Sequence, residues 1–394
     1  METPLPYTSS PWGLLCEDVR LVFKSAWYIP SLMLPWKPAN GGRFNELYLS
    51  WNNIGNLLFQ LILSLMQLLF LLSIPICFAL MVPLSWVCIY IGCCLLANKA
   101  LCDQFLNKGS ELLVSEYPPQ QPPELENEHW VFINGIACGR TWMQQNIDRL
   151  GHTFGRKVTG VHNPSTGLVF DIIQCLIQRD FSYATQDVRD GYAHLRAALL
   201  NPDYTKVVLI AHSQGAIESG LIVDWLLDEI HQGCLRKLEI YTFGNAANHF
   251  NNPFRSTPDP QFGATNNSTI LHIEHYVNSK DFVGRWGVLN FADIPNRFMG
   301  RVFVREGSGH MFNQHYLGTM FPLANDLTAS KDNEFMQTEV GFPEYEGTDH
   351  SPPPRARIGS LSRLWTYRNG GGSADRRITL HRARSPALAP ETLN

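Results

Sequence analysis

The chain has 394 residues, of which 45% are hydrophobic and 17% charged, with a formal net charge of -4. This length suits one large domain with appendages, or two domains. The slightly acidic balance excludes the strong positive field of nucleic-acid-binding proteins, so we expect no nucleic-acid partner. So few charged residues indicate contact with a membrane.

The nine cysteines are scattered, with no C-x-x-C pair and no spacing typical of metal ligands. Unpaired, scattered cysteines favour a reducing compartment for the globular part of the chain. We expect neither a metal ion nor a cofactor.

Residues 1–50 are rich in proline and aromatic side chains, and we interpret them as a juxtamembrane segment. Apolar residues alternate with Arg20 and Lys24 around positions 19–28. This pattern predicts a short helix at a membrane surface. The order of features that defines a secretory signal is missing.

No charged residue occurs from Leu57 to Ala97. A single helix of that length would measure about 60 Å, twice the hydrocarbon thickness of a bilayer. Pro75 and Pro83 interrupt the stretch near its middle. We therefore predict a transmembrane hairpin over residues 51–100, with helices at about 54–73 and 84–97. A single kinked span and a re-entrant hairpin are the alternatives.

Two crossings would return the chain to its starting side. Basic residues flank the stretch on both sides, at Arg20, Lys24, Lys37 and Arg43 before it and at Lys99 and Lys108 after it. Basic flanks are typical of the cytosolic side. We expect an integral membrane protein with a cytosolic globular domain, at the endoplasmic reticulum or a lipid droplet.

Residues 101–128 form a predicted linker, rich in proline and acidic from about position 109, which we expect to be extended and solvated. The chain beyond position 326 loses its periodicity. Its proline run, its triple glycine and its eight arginines between Arg355 and Arg384 predict a disordered tail over 326–394.

Strand-like and helix-like segments alternate over residues 129–325, which predicts an α/β domain with a mostly parallel sheet covered on both faces. Strands are expected at 130–134, 157–162, 207–211, 238–243, 271–277 and 301–305. Helices are expected at 141–150, 186–200, 216–230 and 313–320.

One strand–turn–helix unit in this domain carries a serine at its turn. The apolar run 207–211 is followed by the sharp turn His212-Ser213-Gln214-Gly215 and then by an amphipathic helix. This context is typical of a nucleophile elbow, which needs small residues where strand and helix backbones nearly touch. Ala211 and Gly215 occupy those positions. The alternative is an ordinary buried serine, and we assign His212 to packing.

A serine hydroxyl needs a base within hydrogen-bond reach and an acid to orient that base. Asp281 follows the end of a predicted strand, and Asp293 is its rival. His310 follows the last strand and a Gly-Ser-Gly turn, and His315 is the alternative base.

Acyl transfer also needs two backbone N–H groups for the developing oxyanion. We expect one from Gln214, directly after the serine. The loop Asn134-Gly-Ile-Ala-Cys-Gly139 follows the first strand, and Ile136 is the expected second donor there.

Together, Ile133-Asn-Gly135, Ala211-His-Ser-Gln-Gly215, Thr242-Phe-Gly244, Asp281-Phe-Val283 and Gly309-His310 resemble the landmarks of the α/β-hydrolase superfamily, on its lipase and esterase side. The resemblance covers about residues 129–325. Alanine stands where the first elbow glycine is usual. The resemblance implies an α/β-hydrolase fold and a Ser213–Asp281–His310 triad.

These observations favour a membrane-anchored serine hydrolase, a lipase- or esterase-like enzyme that cleaves a small-molecule carboxylic ester, with membrane lipid as its partner. An acyltransferase with the same triad and an inactive hydrolase-fold scaffold are the alternatives. The sequence leaves the oligomeric state open. The apolar segment 167–177 predicts a helix that serves as a lid or acyl-chain wall, or that simply packs on the sheet.

Overall fold

The computed structural model describes residues 4–36, 42–109, 112–254, 268–341 and 355–372. The helices are α1 Pro11–Ser25, α2 Trp51–Ala79, α3 Leu84–Phe105, α4 Arg140–Phe154, α5 Leu168–Phe181, α6 Gln186–Leu200, α7 Gln214–Glu229, α8 Gln232–Leu235, α9 Phe282–Trp286, α10 Val288–Phe291, α11 Gly318–Met320, α12 Glu334–Gln337, α13 Ile358–Leu361 and α14 Arg363–Thr366. The strands are β1 Leu112–Val114, β2 Glu128–Ile133, β3 Val158–Val161, β4 Lys206–His212, β5 Leu238–Phe243, β6 His272–Asn278, β7 Arg301–Arg305, β8 Glu339–Gly341 and β9 Arg355–Arg357.

The central feature is a seven-stranded sheet in the order β1-β3-β2-β4-β5-β6-β7. Strand β1 is antiparallel to β3, and the remaining neighbours are parallel. Strands β2 and β4 carry almost continuous apolar runs, as expected where helices cover both faces of a parallel sheet. The mixed α/β architecture that the alternating pattern predicts is confirmed.

Successive residues of β4 alternate between two hydrophobic cores, one on each face of the sheet. Val207 and Leu209 belong to the core that also contains α6 and α7. Val208 and Ile210 belong to the core that contains α4 and the aromatic residues around Phe312. Strand β4 is therefore fixed from both sides, and so is the turn at its carboxyl end.

The first apolar helix is longer than predicted. Helix α2 contains Pro75 and continues to Ala79, so the break expected at Pro75 is wrong. The chain turns just before Pro83, which precedes α3. Both helices are long and apolar enough to cross a membrane by length and composition.

The predicted solvated linker is instead partly built into the domain. Strand β1 pairs with β3. Ser115 is buried, and its hydroxyl accepts a hydrogen bond from the Val158 N–H at 3.0 Å. The proline-rich composition concealed this strand because its partner lies more than 40 residues further along the chain.

The expected tail is ordered over residues 355–372. Leu361, Leu364, Trp365 and Tyr367 are buried against the sheet. The prediction of disorder is wrong here because apolar side chains of this segment are buried and Arg363 pairs with the buried Glu239. Residues 342–354 and 373–394 of the predicted tail lie outside the described part of the chain.

Candidate active site

Ser213 lies at the carboxyl end of the central strand, between β4 and α7. Its backbone has φ 57° and ψ -121°, a conformation that non-glycine residues rarely adopt and that occurs at functional turns. A Cβ on Gly215 would lie 2.5 Å from the Ile133 carbonyl oxygen, so only glycine fits there. Ala211 is fully buried at the other small position. The turn is therefore tight, with Ala211 and Gly215 at the positions where strand and helix meet.

Three side chains from different loops form one hydrogen-bonded chain. His310 Nε2 lies 2.9 Å from Ser213 Oγ, and His310 Nδ1 lies 2.8 Å from Asp281 Oδ2. The carboxylate can only accept, which assigns the imidazole proton to Nδ1 and leaves Nε2 free to accept from the serine hydroxyl. The structure thus brings together Ser213, Asp281 and His310, and His310 bonds to Asp281, not to the rival Asp293.

The Asp281 carboxylate is fully buried and accepts two further hydrogen bonds. Oδ1 accepts from the Val283 N–H at 2.9 Å, at the start of α9. Oδ2 accepts from the Tyr316 hydroxyl at 2.5 Å. Burial and the neighbouring carboxylate raise the pKa of Tyr316 well above its ordinary value, so the hydroxyl keeps its proton and donates. These bonds fix the carboxylate against the imidazole.

The backbone of His310 is held as well. Its carbonyl accepts from His212 Nε2 at 2.8 Å. Burial lowers the pKa of His212 well below its ordinary value, which keeps that ring neutral. The carbonyl of the preceding Gly309 accepts from the Asn278 side chain at 2.8 Å. His212 therefore supports the position of His310, beyond the packing that the sequence suggested.

His315, the alternative base, has a structural position. Its Nδ1 accepts from the Met311 N–H at 3.0 Å, and its Nε2 donates to the Pro35 carbonyl at 2.9 Å. Burial lowers its pKa, in keeping with a neutral ring. Both nitrogens are occupied by backbone groups, so this ring is not available to Ser213.

Of the two expected oxyanion donors, Gln214 directly follows the serine and Ile136 lies on a loop that approaches it. Gln214 is the first residue of α7, so its N–H has no acceptor within the helix. Ile136 follows Gly135, and a Cβ on Gly135 would lie 2.6 Å from Ser213 Cβ. The loop after β2 therefore passes directly over the serine.

Sequence reasoning missed the residue that holds this loop, Asp171 in α5. Its carboxylate accepts from the Ala137 N–H at 2.9 Å, from Ser165 Oγ at 2.7 Å and from the Thr166 N–H at 2.7 Å. Burial raises its pKa, which these hydrogen bonds oppose. Asp171 is the single charged residue in the apolar segment 167–177, and that was the signal that could have identified it.

The site is closed in this structure. Ser213 is 3% exposed and His310 is 8% exposed. Helix α5 reaches the elbow through Gln178, whose Oε1 accepts from the Gln214 side chain at 2.8 Å. A cavity of about 200 Å³ lies beside the His310 loop, and one of about 860 Å³ lies away from Ser213, next to Asp224.

Within the described residues, no group of three or more histidine, cysteine, aspartate or glutamate side chains is placed to hold a metal ion.

No family model and no curated protein matches this chain. Among solved structures, it is similar to one titled "The structure of esterase Est22", with 12% identity and a TM-score of 0.27. The match covers 51% of this chain and 72% of that one. That protein is an esterase; for the present chain, the inference of function rests on the geometry of the site.

Proposed function

We propose that this protein is a serine hydrolase of the α/β-hydrolase fold that cleaves carboxylic esters of lipids through an acyl-enzyme. The observation that carries the proposal is the continuous hydrogen-bonded chain from Ser213 through His310 to Asp281. It stands at the carboxyl ends of parallel strands, where α/β proteins place their sites.

In the first half-reaction, Ser213 Oγ attacks the ester carbonyl carbon while His310 Nε2 takes the hydroxyl proton. The carbonyl oxygen becomes an oxyanion, and the N–H groups of Gln214 and Ile136 stabilise it. Collapse breaks the bond to the alcohol, and His310 returns the proton to that leaving oxygen. The acyl group then remains on Ser213.

In the second half-reaction, water takes the place of the alcohol. His310 accepts a proton from the water as its oxygen attacks the acyl carbon, and then returns that proton to Ser213 Oγ. Asp281 keeps the imidazole in the required tautomer and stabilises its protonated form. Tyr316 and the Val283 N–H hold Asp281 in place for this role.

A lipid substrate is supported by what surrounds the site. Helix α5 reaches the elbow through Gln178 and exposes Leu168, Ile172, Ile173, Ile177 and Phe181 on its other side. We assign α5 as the wall that an acyl chain would contact. Helices α2 and α3 would keep the site at a membrane, with the hydrolase domain on the cytosolic side, at the endoplasmic reticulum or a lipid droplet.

A fluorophosphonate probe tests the nucleophile, because it reacts covalently with activated serines. We expect the full chain to be labelled, and Ser213→Ala to remove the label. Ser219→Ala is the matched control, since Ser219 is a buried serine in α7, the helix that follows Ser213, and its hydroxyl donates to the Gly215 carbonyl. Labelling that persists in Ser213→Ala would contradict the proposal. Product analysis with a competing alcohol then separates hydrolysis from acyl transfer.

A further inference from the structure

The apolar hairpin formed by α2 and α3 is not merely tethered to the domain; its polar side chains are docked on it. Gln60 Nε2 donates to the Ala137 carbonyl and to Ser165 Oγ, both at 3.3 Å. Asn107 Nδ2 donates to the Ser165 carbonyl at 2.8 Å. One face of α2 before Gln67, and the chain directly after α3, are therefore fixed to the globular domain.

The hydrogen bonds between the hairpin and the domain end at the level of Gln67 and Asn98. Gln67 Nε2 donates to Asn98 Oδ1 at 3.0 Å and to the Thr166 carbonyl at 2.7 Å. Asn98 Nδ2 donates to the same carbonyl at 2.9 Å. The amide of Val169 in turn donates to Gln67 Oε1 at 3.2 Å. Gln67 and Asn98 thus fix the hairpin against the surface of the domain.

A charged pair stands on the domain side of this level. Lys99 Nζ and Asp103 Oδ2 are 2.8 Å apart, with 72% and 54% of their side chains exposed. Charged side chains at the surface of a hydrophobic helix mark where water begins, because their burial in hydrocarbon is costly. The part of α3 that can lie in hydrocarbon is therefore the part before Asn98, on the side of the hairpin tip.

What remains beyond the docking level is too short to cross a bilayer. Helix α2 continues from Leu68 to Ala79, and α3 returns from Leu84 to Ala97. At about 1.5 Å per residue, these arms reach about 18 Å and about 21 Å. The hydrocarbon of a bilayer is about 30 Å thick, so one leaflet offers about 15 Å.

An apolar surface continues from the hairpin onto the domain. The rings of Phe70 in α2 and Phe170 in α5 are 6.1 Å apart. Trp12 of α1 contacts Phe181 at the far end of α5, with ring centroids 5.7 Å apart. The exposed apolar residues of α1 and α5 thus extend the hairpin surface sideways, as expected of helices that lie in an interface.

We propose that residues 68–97 form a monotopic hairpin, which inserts into one leaflet of a phospholipid membrane and returns without crossing it. Helices α5 and α1 then lie at the headgroup level, and the wall of the proposed active site faces the leaflet. This is the re-entrant alternative to two crossings. It rests on the docking contacts and holds whether or not Ser213 is catalytic.

Labelling of the tip in sealed vesicles tests this topology. Met81 lies in the turn between the helices and is 89% exposed, so Met81→Cys removes little packing. The full chain carrying Met81→Cys and Lys108→Cys is reconstituted in phosphatidylcholine vesicles. A membrane-impermeant maleimide is applied in three conditions: outside intact vesicles, to vesicles with pores that admit it to the lumen, and after detergent. Peptide mass spectrometry then locates the labelled cysteines.

We expect position 108 to be labelled before detergent and position 81 only after it. Labelling at position 81 before detergent, from either side, would overturn the proposal, since a tip that crosses or never inserts is exposed to water. Leu80→Cys, at the neighbouring exposed position, gives an independent measurement. A thermal melt equal to that of the wild type shows that each variant is folded.

Discussion

Gly244 directly follows β5 and lies against the side chains of Asp281 and His310. Its φ is 54°, and a Cβ there would lie 2.9 Å from the Tyr316 hydroxyl oxygen and 3.0 Å from both Asp281 Oδ2 and His310 Cε1. Gly244→Ala should therefore displace the carboxylate or the imidazole. We expect kcat for ester hydrolysis to fall about a hundredfold, since a displacement of about 1 Å can cost that much. Steady-state kinetics should show KM almost unchanged.

Gly220→Ala is the matched control for this prediction. Gly220 is buried in α7, where an added Cβ would meet its nearest atom at 3.7 Å, an ordinary contact. Alanine is preferred over glycine inside a helix by about 0.5–1 kcal/mol, so this variant should melt at or above the wild-type temperature. An equal loss of kcat in both variants would show that position 244 has no special relation to the triad.

Because of His275, we expect the free energy of unfolding to depend on pH. It is fully buried, with Nδ1 accepting from Thr242 Oγ1 at 2.7 Å and Nε2 donating to the Met299 carbonyl at 3.0 Å. Burial lowers its pKa to about 4, from an ordinary 6.5. Below pH 6.5 the unfolded chain therefore binds a proton that the folded chain does not, and the free energy of unfolding falls as the pH drops toward 4.

Urea unfolding at pH 7 and pH 4.5 measures this effect. At 1.36 kcal/mol for each tenfold change in proton affinity, His275 should account for about 2–3 kcal/mol of the loss at pH 4.5. His275→Gln retains a donor and an acceptor but does not titrate in this range. Between pH 7 and pH 4.5, the free energy of unfolding of this variant should therefore fall by about 2–3 kcal/mol less than that of the wild type. Equal losses in the variant and the wild type would contradict the assignment.

At the scale of elements, the loop that carries Ile136 is held by the first turn of α5. In Asp171→Asn, an amide NH₂ replaces an oxygen that accepts from either the Ala137 N–H or the Thr166 N–H. The loop should then shift and weaken the expected oxyanion donor. We predict a ten- to hundredfold lower kcat with KM little changed, because losing one such donor costs about 10²–10³ in kcat.

Asp190→Asn is the control for that substitution, since Asp190 lies on α6 and bonds only to Gln186 of the same helix in the structure. It should retain wild-type kinetics. A rise in KM with unchanged kcat in Asp171→Asn would instead place Asp171 in substrate binding.

The sequence predicts those elements whose signal is local. Apolar runs identified the parallel strands, and the strand–turn–helix pattern identified the turn at Ser213. The residues that hold the site in place escaped because their partners are distant in sequence. Tyr316 reaches Asp281 across 35 positions, and Asp171 supports a loop 34 positions before it. Local sequence patterns do not reveal contacts between residues so far apart in the chain.

At the scale of the whole molecule, the segment 355–372 supplies the partners of a buried carboxylate in the sheet, Glu239 of β5. Arg363 Nε donates to Glu239 Oε1 at 2.8 Å, and the Tyr367 hydroxyl donates to Glu239 Oε2 at 2.7 Å. Buried Arg156 donates to the Tyr367 carbonyl at 2.9 Å and forms a 2.6 Å ion pair with Glu128. The arginine-rich region therefore belongs to the folded domain at least as far as these contacts reach.

Two truncations separate this segment from the chain that follows it. A chain ending at position 354 leaves Glu239 buried without Arg363, and loss of one partner of a buried ion pair costs about 3–5 kcal/mol. It also loses the buried side chains of Leu361, Leu364 and Trp365, each worth about 1.5–3 kcal/mol. Domains are stable by only about 5–15 kcal/mol, so we expect this chain to show no cooperative melt.

A chain ending at Gly372 keeps all of these contacts and should melt within a few degrees of the full chain. Scanning calorimetry of both decides the matter: a wild-type melt for the shorter chain would mean that the segment is dispensable, as a disordered tail would be.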